Sequence, residues 1–168
     1  MKTAWTNALA RVHALWRFQS TDYNSAAAGV GILNVMEISM AKIEKNERQR
    51  WIEAVKAIVS SAQNWAKKHG WSAKIQTITL TEDRLGSYDV PLLTVETTDG
   101  RIVLEPIARW TSPGDGRIDV YGWPSLNKLM LIRKGNTWEL LTEAGVRWPQ
   151  AWNDNTFADL AANLNTAA

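Results

Sequence analysis

The alternation of apolar and polar residues divides the chain into a helical first part, a strand-rich centre and a short helical end. In the centre, six short runs have the composition of β-strands, and several of them also have the two-residue period. The runs are KIQTITL, VPLLTVET, RIVLEPIA, RIDVYG, KLMLIRK and TWELLT. They lie within residues 74–142, and turn residues separate most of them.

Short turns between these runs predict how the strands pair. Thr98-Asp99-Gly100 joins the second run to the third, and Lys134-Gly135-Asn136 joins the fifth to the sixth. Glycine beside Asp or Asn favours a tight hairpin. A parallel crossover needs a dozen or more residues. The pattern therefore predicts an antiparallel meander of five or six strands.

Helical periodicity governs the first part of the chain, about residues 4–69. One apolar stripe predicts a helix from Ala4 to Phe18. Its members are Trp5, Leu9, Val12 and Trp16. Residues 19–31 are polar, then small, without periodicity, and they predict a loop. From Leu33 to His69 apolar residues recur every three or four positions without an interrupting Gly or Pro, which favours one long helix over two.

The tail predicts a short helix over about residues 154–164. Asn153 to Asn155 offer N-caps, and an apolar stripe follows them, formed by Phe157, Leu160, Ala161 and Leu164. A chain of 168 residues fits one domain. We therefore expect a single α+β domain over residues 1–168, with N-terminal helices, one of them long, packed on the meander and a short C-terminal helix closing it.

Composition excludes several classes of site. The chain has no cysteine, so disulfides, thiolate zinc sites and cysteine nucleophiles are excluded. Its 19 basic and 17 acidic side chains permit nucleic-acid binding without favouring it. No apolar run is long enough to span a membrane, and the N-terminus lacks a signal-peptide core, which predicts a soluble, cytoplasmic protein. The ten tryptophans predict a strongly aromatic core.

Charged residues interrupt the two central strands and form the first candidate site. Folding the chain about residues 112–116 brings Glu105 and Asp119 opposite each other. The candidate pocket consists of Glu105, Arg109, Arg117, Asp119 and Tyr121. Such a group can bind a ligand, or perform acid–base chemistry if burial separates the two carboxyl pKa values. The alternative is a ladder of opposite charges on the solvent face of the sheet.

Two further surfaces are candidates for binding a partner. The first half of the long helix carries an apolar set, Leu33, Met36, Met40 and Ile43, which is a candidate protein-binding or dimer surface. Its end carries a basic and aromatic set, Lys67, Lys68, Trp71 and Lys74, which is a candidate nucleic-acid patch. A solvated helix face is the alternative explanation for those charges.

No motif of a catalytic or metal site is present, so the sequence predicts no catalytic residue, metal or cofactor. We expect a non-enzymatic, cytoplasmic protein-interaction module of the immunity, adaptor or regulatory type. Its partner would be another protein or a second copy of itself. The alternative is a small-molecule-binding protein or enzyme that uses the face around Glu105 and Asp119. A nucleic-acid-directed accessory protein ranks third.

Overall fold

One long helix, six strands and a short helix follow one another along the chain. The computed structural model describes residues 25–112 and 114–165, with side chains from residue 36 onward. The elements are α1 (Ser25–Lys68), β1 (Ser72–Glu82), β2 (Gly86–Glu96), β3 (Arg101–Ala108), β4 (Arg117–Trp123), β5 (Lys128–Lys134), β6 (Thr137–Thr142) and α2 (Asp154–Asn163). The predicted α+β class and the single long helix are confirmed.

Helix α1 begins earlier than the sequence predicts. The loop expected over residues 19–31 is wrong for residues 25–31, because α1 starts at Ser25. Three consecutive alanines, residues 26–28, have the highest helix propensity. They offset the two glycines that follow, each of which costs about 1 kcal/mol in a helix. The helix predicted from Ala4 to Phe18 lies outside the described residues.

The end of α1 follows the capping pattern that its sequence predicts. Gly70 adopts a positive φ of 75°, which a residue with a side chain adopts only at a cost. The amide of Gly70 donates to the Lys67 carbonyl, and that of Trp71 donates to the Ala66 carbonyl. These bonds satisfy carbonyls that the helix leaves free and turn the chain directly into β1.

The six strands form one antiparallel sheet in chain order, β1 to β6, as the short turns predict. The Thr97 amide donates to the Gly100 carbonyl and closes the hairpin between β2 and β3. Gly135, with a φ of 62°, forms the turn between β5 and β6. The register between β3 and β4 shifts between Pro106 and Ala108, so Ile107 lies in a bulge. This irregularity determines where Arg109 lies.

The main core lies between the second part of α1 and one face of the sheet. The helix contributes Trp51, Val55, Ile58, Val59, Ala62 and Ala66. The sheet contributes alternate residues of its central strands, among them Ile102, Leu104, Ile118, Val120, Leu129, Leu131 and Leu140. Helix α2 adds Phe157, whose ring lies 5.9 Å from that of Trp65 and 6.0 Å from that of Trp71. Six of the tryptophans in the described part belong to this core or pack against it: Trp51, Trp65, Trp71, Trp138, Trp148 and Trp152.

The chain divides into two compact units, residues 1–42 and residues 43–168. The sheet, the core and α2 all belong to the second unit. That the whole chain is a single domain stays a prediction. Within the described residues, no helix has the length and apolarity needed to cross a membrane.

Candidate functional site

The sheet has a second face, formed by the residues that alternate with those of the core. On this face Glu105 of β3 pairs with Asp119 of β4, and Asp119 pairs with Met130 of β5. In the neighbouring row Val103 pairs with Tyr121, and Tyr121 with Lys128. The register thus brings two carboxylates, a phenol and an amine together in two adjacent cross-strand rows.

Asp119 is the central charge of this face and is only 6% exposed. Arg117 lies two residues earlier on the same strand, and therefore on the same side of the sheet. Its guanidinium donates to both carboxylate oxygens of Asp119, Nε to Oδ1 at 2.5 Å and Nη2 to Oδ2 at 2.8 Å. The hydrogen bond to Asp119 raises the pKa of Arg117. This two-point pairing compensates the burial of the carboxylate.

Lys128 links Asp119 to the rim of the site. Its Nζ lies 3.5 Å from Asp119 Oδ2 and 3.1 Å from Glu143 Oε1. The hydrogen bond to Glu143 is the main cause that raises the pKa of Lys128, and the charge of Asp119 adds to it. Lys128 therefore remains a cation at neutral pH and forms ion pairs with both Asp119 and Glu143.

Tyr121 binds Glu105, the carboxylate of the neighbouring strand β3. Its hydroxyl donates to Glu105 Oε2 at 3.0 Å. Burial, reinforced by the hydrogen bond to Glu105, raises the pKa of Tyr121 to about 12. The phenol therefore stays protonated at neutral pH and can only donate to Glu105, which fixes the direction of this hydrogen bond.

Five polar side chains line a shallow depression of about 480 Å³: Glu105, Asp119, Tyr121, Lys128 and Glu143. Trp123 and Leu126, each half or more exposed, complete its lining. Leu126 has a φ of 63°, a backbone conformation that costs energy for a residue with a branched side chain. Strained residues of this kind are concentrated at binding sites, where the surrounding structure holds them in place.

The turn that carries Trp123 and Leu126 is held by the end of α2. The hydroxyl of Ser125 and the side-chain amide of Asn127 both donate to the carbonyl of Leu164. The Leu126 amide donates to the Gly122 carbonyl at 3.0 Å. These bonds compensate the strain at Leu126 and keep the apolar rim in place beside the charged floor.

No protein-family model, curated protein or solved structure matches this chain. The geometry of its own residues is therefore the basis for what the site can do. Since Arg117 and Lys128 already pair with Asp119, that carboxylate is a structural anion. Glu105 and the exposed Glu143 are the acceptors closest to solvent, so the depression suits a ligand with hydrogen-bond donors and an apolar part.

Arg109 lies outside the depression around Glu105 and Asp119, although simple alternation along β3 predicts it there. The bulge at Ile107 changes the direction of the chain before Arg109 is reached. Its backbone amide donates to Glu82, and its guanidinium donates to the Asp115 carbonyl. Among the pocket candidates, the structure therefore brings together Glu105, Arg117, Asp119 and Tyr121, and places Arg109 beside Trp110.

Sequence reasoning missed four residues of this site: Trp123, Leu126, Lys128 and Glu143. The turn GWPSLN could have predicted Lys128. It pairs Tyr121 with Lys128, and this pairing places the lysine beside Asp119. Glu143 follows β6 and reaches Lys128 only through the pairing of β5 with β6. The described residues contain no group of three or more metal-binding side chains.

The apolar candidate surface on α1 is exposed to solvent. Met36 is 49% exposed, Met40 51% and Ile43 50%, and these three lie along one face of the helix. Ile38 is 69% exposed and lies on the opposite side. Leu33 belongs to α1, but its side chain lies outside the described ones.

In the candidate nucleic-acid patch, neighbouring residues engage two of the four side chains. Lys68 forms an ion pair with Asp154, and the Nε2 of His69 donates to the same carboxylate at 2.9 Å. Trp71 stacks on the His69 ring at 4.9 Å. Lys67 is exposed, and Lys74 lies on β1 beside the ion pair of Arg101 and Glu96. Among the described residues, Lys68 is the one member of this set that forms an ion pair, and the patch as a nucleic-acid surface stays a prediction.

Asp119 and Glu105 are expected to differ sharply in their contribution to stability. Asp119→Asn removes the charge that pairs with Arg117 and Lys128, and we expect a loss of about 1–3 kcal/mol, reduced from the value for a fully buried pair because both cations are partly exposed. Glu105→Gln keeps an acceptor for Tyr121, so its cost should stay below about 0.5 kcal/mol. Urea unfolding measures both. Equal effects of the two substitutions would contradict the assigned roles.

Proposed function

We propose that this protein is a cytoplasmic protein-interaction module and that its docking surface is the helical segment Met36–Ile43. The observation that carries the proposal is the exposure of three large apolar side chains, Met36, Met40 and Ile43, along one face of the helix within eight residues. Single exposed apolar residues are ordinary, whereas a contiguous group marks an interaction surface. Methionine is flexible and polarisable, and it suits surfaces that adapt to a partner.

The partner we propose is a second copy of this chain. Met36, Met40 and Ile43 form an uncharged row, here called the α1 stripe. Two copies of such a row can meet across a two-fold axis without burying a charge. Both protomers of such a dimer then contribute the same residues, so the interface needs no second surface.

The energetics favour reversible self-association. Burying the exposed half of a Met or Ile side chain contributes about 1 kcal/mol. The α1 stripe of two copies therefore contributes about 6 kcal/mol, against a cost of roughly 4 kcal/mol or more for association. The small difference predicts an equilibrium between monomer and dimer that depends on concentration.

A charge placed in the α1 stripe should abolish this association. Met40→Glu buries an unpaired carboxylate in the dimer, a penalty of about 2 kcal/mol or more, which raises the dimer dissociation constant at least about 30-fold. Sedimentation velocity over a range of concentrations measures the constant. Ala41→Glu is the matched control, because it adds the same side chain at an exposed position that faces away from the α1 stripe.

Two outcomes would count against this account. A wild-type chain that stays monomeric at every concentration would exclude the second copy as partner. Equal dissociation constants for the Met40→Glu and Ala41→Glu variants would exclude the α1 stripe as the surface. Weakening by Met40→Glu alone, with a normal unfolding curve, would support both parts of the proposal.

A second candidate function is ligand binding in the depression around Glu105 and Asp119. The strained Leu126 beside the exposed Trp123 favours it, because this pair gives a charged floor an apolar wall. Such a wall suits an amphipathic ligand that carries hydrogen-bond donors. In a screen of amines and basic peptides, binding that quenches tryptophan fluorescence and is lost in Glu105→Gln would support it. Ligands that bind equally well to Trp123→Ala would exclude it.

A further inference from the structure

A second depression, of about 610 Å³, lies in the unit formed by residues 43–168 and is lined by three arginines. Arg50 comes from α1, Arg109 from the segment after β3, and Arg133 from β5. Three separate elements thus direct guanidinium groups to one place. Arginine matches the geometry of oxyanions because its donors are arranged in a rigid, planar fork.

Arg109 is held in position while its Nε donor stays unused. Its Nη1 donates to the Asp115 carbonyl, and its guanidinium lies 4.4 Å from the centre of the Trp110 ring. Its Nε is buried and has no hydrogen-bond partner. A buried donor without a partner is costly, and a ligand that accepts from it recovers that free energy.

None of the three arginines in this depression forms an ion pair in the described part of the chain, although three carboxylates also line it. Within the described residues, the ion-paired arginines are Arg101, Arg117 and Arg147, and none of these lines the depression. Burial, and then the charges of Arg109 and Arg50, lower the pKa of Arg133 against the opposing effect of Asp115. Arg109 and Arg50 therefore repel Arg133, Asp115 offsets part of that repulsion, and an anion that accepts from the guanidinium donors would offset more of it.

Three acidic side chains also line the depression, and two of them already accept a hydrogen bond. Asp115 Oδ2 accepts from the Gly135 amide at 2.8 Å, and Glu53 accepts from Gln49 at 3.0 Å. The third is Glu47, whose Oε2 is buried and has no hydrogen-bond partner. A bound oxyanion must therefore satisfy an acceptor as well as the guanidinium donors.

We propose that this depression binds a phosphate group that still carries a proton. Its oxygens accept from Arg50, Arg109 and Arg133, and its hydroxyl donates to Glu47. Sulfate has the same shape but no proton at neutral pH, so it would place an oxygen against the Glu47 carboxylate without a hydrogen bond. The site should therefore select phosphate over sulfate.

Calorimetric titration with inorganic phosphate at neutral pH tests the proposal on the full chain. We expect saturable binding with a dissociation constant on the order of 1 mM or tighter. Sulfate should bind about tenfold more weakly, which corresponds to the loss of one hydrogen bond. Amide chemical shifts that move at Gly135 and Asn136 would locate the ligand in this depression. A phosphate monoester that binds more tightly than free phosphate would identify a phosphorylated molecule as the source.

Variants separate the contributions of the side chains. Arg133→Gln and Arg50→Gln should each weaken phosphate binding about 10- to 100-fold, since each removes a charged hydrogen bond. Arg147→Gln is the control, because it removes the same charge from an exposed position outside the depression. Glu47→Gln should make the affinities for phosphate and sulfate equal.

Three results would overturn the proposal. No saturable heat with phosphate would exclude the site. An equal loss of affinity in Arg147→Gln and Arg50→Gln would indicate non-specific attraction to positive charge. Equal binding of sulfate and phosphate by the wild-type chain would exclude the assigned role of Glu47. Arg50 is exposed, so its variant should keep the fold even if Arg133→Gln does not.

Discussion

Replacing Trp51 with alanine should lower the free energy of unfolding by about 3–5 kcal/mol. Trp51 is fully buried in the core between α1 and the sheet. Its ring lies 6.1 Å from that of Trp138 and beneath Gly116, where an added Cβ would overlap it. Alanine removes these contacts and leaves a cavity that a close-packed core fills only in part. Urea unfolding followed by circular dichroism gives the value.

Gly116 provides a second test of the same contact. Gly116→Ala should destabilise the wild-type chain by about 1–3 kcal/mol, because its methyl group meets the Trp51 ring. In the Trp51→Ala background the same substitution should cost little, since the ring is gone. Additive effects of the two substitutions would contradict the packing of α1 on the turn before β4.

The Phe157→Ala substitution should cost a similar amount, about 3–5 kcal/mol. Phe157 is fully buried, and its ring lies 5.8–6.0 Å from three tryptophan rings, those of Trp65, Trp71 and Trp152. It is the main anchor of α2. Because the carbonyl of Leu164 holds the turn with Ser125 and Asn127, loosening α2 should also release Trp123.

Two measurements follow the loss of Phe157. Urea unfolding should show the lower stability, and the near-ultraviolet circular dichroism of the tryptophans should weaken before unfolding begins. Asp159→Ala is the control on the same helix, because Asp159 is exposed and a surface substitution should change stability by less than about 0.5 kcal/mol. An unchanged tryptophan signal in Phe157→Ala would argue against the aromatic anchor.

Local patterns explain why most of the sheet could be predicted. The hairpin around Asp99 and Gly100 depends on residues next to one another in the sequence. The pairing of Glu105 with Asp119 follows from alternation on two strands and a short connection between them. Secondary structure that neighbouring residues determine can therefore be predicted without knowledge of the tertiary packing.

The position of Arg109 could not be predicted from alternation along the strand. Pro106 has no amide hydrogen to donate to the sheet, and the register changes directly after it. Proline within a strand favours a bulge, but the sequence does not state which residue is extruded or in which direction the chain then continues. Arg109, which follows the bulge, is therefore displaced from the face that alternation assigns to it.

The two depressions also differ in how far the sequence could predict them. Lys128 joins Asp119 through adjacent strands, so a register argument can reach it. Arg50 and Arg133 are far apart in the sequence and meet only because α1 packs over the strand end that carries Arg133. No local pattern connects them, so the arginine-lined depression becomes visible only in the folded molecule.

Disulfide cross-linking tests the central claim, self-association through the α1 stripe, most directly. The chain has no cysteine, so Met40→Cys introduces a single thiol in the α1 stripe, and Ala41→Cys introduces one beside it that faces away. Packed helices lie about 8–10 Å apart, which brings equivalent stripe residues within the range of a disulfide. We predict rapid oxidation of Met40→Cys to a covalent dimer, with little dimer from Ala41→Cys. Equal, slow cross-linking of both variants would contradict the proposed interface.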